Sequence, residues 1–126
     1  MGERQRREGL IGFPEHYHNA VMYSEKYRFF APEREGILGA LRRDLAGLSL
    51  AGASWAVERG LVTDARTGAQ FPWAGEEMVR PLVPRVATWL AGAEYCEAAA
   101  RTEEKARFAV DSAAVERVLD EVRGMR

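Results

Sequence analysis

The sequence lacks the features that mark several large protein classes. Its 126 residues contain one cysteine, Cys96, so a small secreted domain built on internal disulfides is excluded. A zinc ribbon or a thioredoxin-type site is excluded as well, because both need a Cys-x-x-Cys pair. No run of about 18 apolar residues is present to span a bilayer, and no signal peptide follows the charged N-terminus. We therefore expect a cytoplasmic protein with no membrane partner.

An excess of charge of one sign is also missing. The chain has 18 basic and 19 acidic side chains, a formal net charge of -1. Duplex-DNA-binding domains usually have a basic balance or a basic face, so nucleic-acid binding, through the arginine-rich N-terminus and the second helix, is kept only as an alternative. A net charge near zero removes a barrier to self-association, which favours a protein that binds its own copy.

What is present is helical periodicity. A polar stretch over residues 1–9 predicts a flexible N-terminal arm, and residues 10–126 form a single domain of ordinary size. The fold class that we predict for this domain is mainly α, a helical bundle of about five helices with one small β-hairpin near residues 61–71. The predicted helices cover residues 14–30, a stretch from Pro32 that continues or restarts around Trp55, a segment opening at 75–77, residues 84–101 and a segment after Asp111.

Several residues give local predictions about these helices. Gly36 and Gly39 interrupt an apolar stripe on the second helix, and such small residues allow another helix to approach closely. Gly60 stands where a left-handed helix cap belongs, and Asp111 is typical of a residue that caps a helix N-terminus. Cys96 falls on the apolar side of a predicted helix, where we expect a buried and unreactive thiol.

Both histidines of the chain lie in the segment Glu15-His16-Tyr17-His18. On a strand, His16 and His18 would point the same way and could share a metal ion. On a helix they would be about 200° apart. Because this segment is predicted to be helical, we expect two separate, partly exposed histidines and no metal. A metal site formed by Glu15, His16 and His18 is the alternative.

Aromatic residues supply further candidates for a binding site. Tyr23 and Tyr27 lie close in sequence to Lys26 and Arg28, a combination that can stack on a flat ligand, although packing in the core is the preferred interpretation. Trp73 follows the predicted hairpin and could anchor an interface. The predicted ligand-binding residues are His16, His18, Tyr23, Tyr27 and Trp73.

The C-terminal part of the chain carries a pattern that extends over residues 73–124. It consists of Trp73, then Val83-Pro84, then Glu97-Ala98, then Val110-Asp111-Ser112, and a last helix that ends at Gly124. This pattern resembles the small helical domain that ends the B subunit of light-independent protochlorophyllide reductase, which related PCP reductase-like proteins also carry.

Two positions depart from that family. Thr88 or Trp89 stands where the family tends to place an arginine, and the glycine expected before the last helix is missing. The resemblance implies an accessory module beside a tetrapyrrole or redox enzyme, and it assigns no catalytic residue.

No P-loop, dinucleotide-binding, metalloprotease or serine-hydrolase motif is present. We therefore predict no catalytic residues and no cofactor. Our first hypothesis is a non-catalytic helical interaction or accessory module that binds a protein partner or its own copy. The alternative is a small enzyme, or a ligand- or metal-binding protein, with a pocket between the first helix and the hairpin that uses the histidine segment.

Overall fold

The computed structural model describes residues 3–5 and 9–124, and over these residues the chain forms six helices and six short strands. The helices are α1 (Tyr17–Tyr23), α2 (Pro32–Asp44), α3 (Leu50–Glu58), α4 (Pro84–Ala91), α5 (Ala93–Lys105) and α6 (Ser112–Gly124). The strands are β1 (Glu3–Gln5), β2 (Gly9–Gly12), β3 (Arg28–Phe29), β4 (Val62–Asp64), β5 (Met78–Pro81) and β6 (Phe108–Val110). The predicted mainly α fold class is confirmed, and no helix in this part of the chain has the length and apolar character needed to cross a membrane.

The larger sheet joins the start of the chain to its middle. Its strand order is β1-β2-β5-β3, and each neighbouring pair is antiparallel. Of the predicted N-terminal arm, residues 3–5 form strand β1 and Gly9 is the first residue of strand β2, while residues 1, 2 and 6–8 lie outside the described residues. The prediction of a helix opening at residues 75–77 is wrong, because Met78 and Val79 pair with strands on both sides. Few residues separate that opening from Pro81, too few for a stable helix.

The predicted hairpin over residues 61–71 is present as part of a smaller sheet. Val62 pairs with Val110 between strands β4 and β6, and Thr63 also bridges to Gln70 across a tight turn. Gly68 has a φ of 74° in that turn, a conformation that glycine adopts without a steric penalty. Strand β6 was not expected as a partner of β4. Its Ala109 lies 46 positions after Thr63 in the sequence.

Two predicted helices are shorter in the structure. The helix predicted over residues 14–30 ends at Tyr23, and the chain then turns into β3. The helix predicted over residues 84–101 is divided into α4 and α5 at Gly92, whose ψ of 155° is extended. The structure has six helices and not about five, because two predicted helices are each divided, into α2 and α3 and into α4 and α5, while the helix predicted at residues 75–77 is absent.

Helix α2 packs closely along α5, and the hydrophobic core is built from residues of α1, α2, α3 and α6 together with strands β3, β4 and β5. A Cβ atom at Gly36 would collide with the backbone oxygen of Ala99, and one at Gly39 would collide with the side chain of Glu103. The prediction that these glycines allow close helix packing is therefore confirmed. Among the described residues, the largest fully buried side chains are Tyr95, Phe29, Leu38, Leu41, Met78, Val62, Val115 and Pro14.

Helix α5 presents a different face to the core from the one expected. Tyr95 is fully buried and its hydroxyl donates a hydrogen bond to the carbonyl oxygen of Phe29. Cys96, the next residue, is exposed. The expectation of a buried thiol is wrong because the turn at Gly92 starts a new helix and thereby resets which residues face inward.

Candidate functional site

Helices α1 and α3 lie side by side and form the walls of a surface groove. Helix α3 begins after Ser49, whose Oγ accepts a hydrogen bond of 3.0 Å from the N–H of Gly52. It ends before Gly60, where a φ of 68° confirms the predicted left-handed cap. Between these ends, Leu50, Ser54 and Glu58 are spaced four residues apart and therefore share one face of the helix.

The two histidines meet at this groove. His16 lies one residue before α1 and has an extended backbone, with φ of -129° and ψ of 159°, and its N–H donates to Oδ1 of Asn19 at 3.0 Å. Helical spacing therefore does not apply to it. The rings of His16 and His18 lie nearly parallel, with 5.6 Å between their centroids and 10° between their planes. The expectation that the two side chains are separate is wrong.

Each imidazole is held by a side chain of α3. Nδ1 of His16 lies 3.0 Å from Oε2 of Glu58, and Nδ1 of His18 lies 2.7 Å from Oγ of Ser54. An ionised carboxylate only accepts hydrogen bonds, so Nδ1 of His16 carries the hydrogen and donates it. The Ser54 hydroxyl can donate or accept, so either tautomer of His18 fits.

The second ring nitrogen of each histidine, Nε2, has no hydrogen-bond partner among the described residues. With the hydrogen of the neutral His16 ring on Nδ1, its Nε2 can accept a hydrogen bond from a bound molecule, and Nε2 of His18 can donate or accept according to the tautomer. The His16 ring is held by the Glu58 carboxylate, and the Ser54 hydroxyl is held by the His18 ring. Groups paired in this way can also exchange protons with a ligand.

The rest of the groove is apolar. Met22, Leu50, Ala51 and Trp55 line it together with the two histidines, Ser54 and Glu58, around a volume of 510 Å³. We call this site the histidine groove. Its volume lies within the range of small-molecule sites, roughly 300–1,000 Å³, and its mostly apolar lining with a few fixed polar groups is typical of them.

A second cavity of 480 Å³ adjoins the histidine groove and shares two residues with it, His16 and Glu58. Its other walls include Glu15, Gln70, Phe71 and Trp73, and we call it the tryptophan cleft. Trp73 is fixed there, because its Nε1 donates a hydrogen bond of 3.0 Å to the carbonyl oxygen of Pro14. The edge-to-face contact of Trp73 with Tyr17, at 5.9 Å between centroids, ties it to the core.

The structure places the remaining predicted ligand-binding residues elsewhere. Tyr23 and Tyr27 contact one another with 5.4 Å between ring centroids, and Tyr27 is buried in the core. Neither tyrosine lines the histidine groove or the tryptophan cleft. Of the predicted set, His16 and His18 therefore lie together, Trp73 lies in the adjoining cleft, and the two tyrosines line neither cavity.

The metal alternative does not fit this arrangement. Within residues 3–5 and 9–124, no three His, Cys, Asp or Glu side chains come close enough together to hold a metal ion. Glu15 lines the tryptophan cleft and not the histidine groove. The ligand set Glu15, His16 and His18 is therefore not formed.

The arginines on the outward face of α2 have partners within the chain. Arg34 forms an ion pair with Glu76, and Arg42 donates to Oγ of Ser24 at 3.3 Å. Arg43 binds the carboxylate of Asp44 and the backbone oxygen of Glu103, the latter at 2.7 Å. These contacts engage the second-helix arginines on which part of the nucleic-acid alternative depends.

Sequence reasoning missed Ser54 and Glu58, the two residues that hold the histidines. Their spacing of four residues on one helix was visible, and so was the regular row that they form with Leu50. The missing information was the contact between α1 and α3, which joins residues 36 and 42 positions apart. No local pattern specifies such a contact.

Comparison of the chain with models of protein families, with curated proteins and with solved structures gives no match. The resemblance to the domain of light-independent protochlorophyllide reductase therefore stays a prediction, and the function has to be argued from the histidine groove itself.

Proposed function

We propose that this protein binds a small, largely apolar molecule in the histidine groove and orients it by hydrogen bonds to the two imidazoles. The observation that carries the proposal is the pair of stacked histidines, each fixed through Nδ1 by α3, at the wall of an apolar cavity of 510 Å³. Fixed polar groups on an apolar wall give a ligand one preferred orientation.

The energetics agree with this proposal. Met22 is 63% exposed and Leu50 is 44% exposed, so a ligand that covers them removes apolar surface from water. Such burial contributes about 25 cal/mol per Å². The histidines add direction at reduced cost, because Glu58 and Ser54 already hold the two rings by hydrogen bonds and less side-chain freedom is lost on binding.

The test is a titration of the full chain with octan-1-ol, an apolar molecule with one hydroxyl group, followed by tryptophan fluorescence because Trp55 lines the groove. We expect saturable binding. Leu50→Asp places a charge on the apolar wall and should weaken binding by about tenfold, since roughly 1.4 kcal/mol of apolar contact is replaced by a charge that must stay hydrated.

Leu82→Asp is the matched control. Leu82 is 48% exposed, close to the exposure of Leu50, and it lies outside the groove. The control variant should bind octan-1-ol as the original protein does. Absence of saturable binding by the original protein, or equal loss in the two variants, would contradict the proposal.

Binding of a protein partner or of a second copy is the second candidate function, as the composition suggested. It is favoured by the large apolar side chains that are exposed on the described part of the chain, which include Phe13, Phe30 and Leu82 besides those of the groove. Light scattering over a concentration series separates the candidates: a dimer that dissociates in Leu50→Asp supports the second, and a monomer that binds octan-1-ol supports the first.

A further inference from the structure

We infer that the tryptophan cleft extends the histidine groove into one site, and that this site takes an amphiphile whose apolar body lies in the groove and whose positively charged amine lies in the cleft. This inference rests on the proposed function, because it names the class of ligand that the same site binds.

The continuity of the two cavities depends on His16 and Glu58. The two side chains line both cavities and are joined to each other by a hydrogen bond. The side chains of His16 and Glu58 are 44% and 51% exposed. The pair therefore lies at the surface between the two cavities and does not close one off from the other. A single molecule can therefore contact the groove on one side of the pair and the cleft on the other.

The cleft differs from the groove in its charge. Its lining contains two acidic residues, Glu15 and Glu58, against Glu58 alone in the groove, and no lysine or arginine from the described residues. The cation close to the groove, Arg59, lies over the Trp55 ring at 5.3 Å from its centroid and pairs with Glu121 at 3.8 Å. The field in the cleft therefore favours a positive group on a ligand and opposes a negative one.

The aromatic lining of the cleft points to the same chemistry. Phe71 and Trp73 are partly exposed walls of the cleft, beside the amide of Gln70. The face of an aromatic ring carries partial negative charge and attracts ammonium groups, most strongly when the ring belongs to tryptophan. Two carboxylates and two aromatic rings around one cavity are thus complementary to an alkylammonium head group.

The experiment compares three probes that share an eight-carbon chain: octyltrimethylammonium, octan-1-ol and octanoate, each below its micelle concentration. Binding to the full chain is followed by tryptophan fluorescence and by calorimetry. We expect the ammonium probe to bind about fivefold more tightly than the alcohol, as one cation–π contact and nearby carboxylates provide, and octanoate to bind most weakly. Added salt should reduce the difference.

Glu15→Gln removes one carboxylate from the cleft without touching the groove. Because Glu58 and the two aromatic rings remain, the variant should lose part of the preference for the ammonium probe, about twofold, while its affinity for octan-1-ol stays unchanged. Glu116→Gln on α6 is the control, since Glu116 is exposed and lines neither cavity; it should keep the preference.

The outcomes separate the two proposals. Preference for the cation that is reduced in Glu15→Gln and kept in Glu116→Gln supports the inference. Binding of octan-1-ol with no advantage for the cation, or an equal loss in both glutamate variants, overturns the inference and leaves the groove proposal standing. Failure of all three probes to bind overturns the groove proposal and the inference with it.

Discussion

At the scale of single residues, Asp44 links two elements that are distant in sequence. Its carboxylate accepts a hydrogen bond of 2.8 Å from the N–H of Phe108 and binds the guanidinium of Arg43. The hydrogen bond from Arg43 is the main cause that lowers the pKa of Asp44 below its ordinary value of 3.8, and the N–H of Phe108 lowers it further. The hydrogen bond from Phe108 to Asp44 therefore links the end of α2 to the start of β6.

This lowered pKa predicts how acid affects the protein. A carboxyl group whose pKa is lower in the folded state contributes stability above its unfolded pKa and loses that contribution as the pH falls through its folded pKa. Asp44→Asn removes the charge but keeps an oxygen that can accept from Phe108, so it should reduce the free energy of unfolding by about 1–2 kcal/mol at neutral pH, part of the value of hydrogen bonds to a charged group. The difference between variant and original should shrink below pH 3.8. Denaturant unfolding at several pH values measures both, and a difference independent of pH would be contrary to this account.

At the scale of elements, the contact between α2 and α5 depends on glycine. At Gly36 an added Cβ would meet backbone of α5, which cannot move aside, whereas at Gly39 it would meet the flexible side chain of Glu103. Replacement of glycine by alanine should therefore reduce stability by different amounts at Gly36 and Gly39, which lie about one helical turn apart.

We expect Gly36→Ala to reduce stability by about 1–3 kcal/mol, the usual cost of overpacking, which exceeds the gain of up to about 1 kcal/mol in helix propensity. Gly39→Ala should cost less. Gly47→Ala is the control, because no atom lies within 4 Å of an added Cβ there, and it should leave stability nearly unchanged. Thermal unfolding of the three variants checks the order, and equal effects at Gly36 and Gly47 would count against glycine-dependent packing.

Comparison of the elements shows what local sequence can predict. The cap at Asp111 is present, since its Oδ1 accepts a hydrogen bond of 3.0 Å from the N–H of Ala113, and it was predictable because it depends on residues two positions apart. Strand β5 was not predictable. It is a strand only because β2 and β3 lie on either side of it, and those partners come from distant segments.

The same distinction applies to the candidate site. His16, His18 and Trp73 could be singled out from their chemistry alone. The groove itself could not, because it exists only where α1 and α3 meet, and because His16 precedes the helix that was expected to contain it. Nothing in the local sequence distinguishes Ser54 from other helical residues. Its role follows from the distance of 2.7 Å between its Oγ and Nδ1 of His18.

At the scale of the whole molecule, the two halves of the chain are interleaved. Elements before the turn at residues 65–70 pack on elements after it: β2 and β3 on β5, α2 on α5, α3 on α6 and β4 on β6. Every residue of the turn from Ala65 to Gln70 is exposed. The fold is therefore held by contacts that cross the turn, and the turn itself contributes little burial.

We therefore expect that cleavage of the chain within this turn, after the protein has folded, leaves the two halves associated. With a specific protease site inserted beside Gly68, the nicked protein should run as two bands on a denaturing gel and as one species of unchanged size in gel filtration. Two separately expressed pieces should likewise reassemble when mixed, each supplying the strands and helices that the other lacks. Separation of the pieces under native conditions would mean that the covalent link, and not the interleaving, holds the halves together.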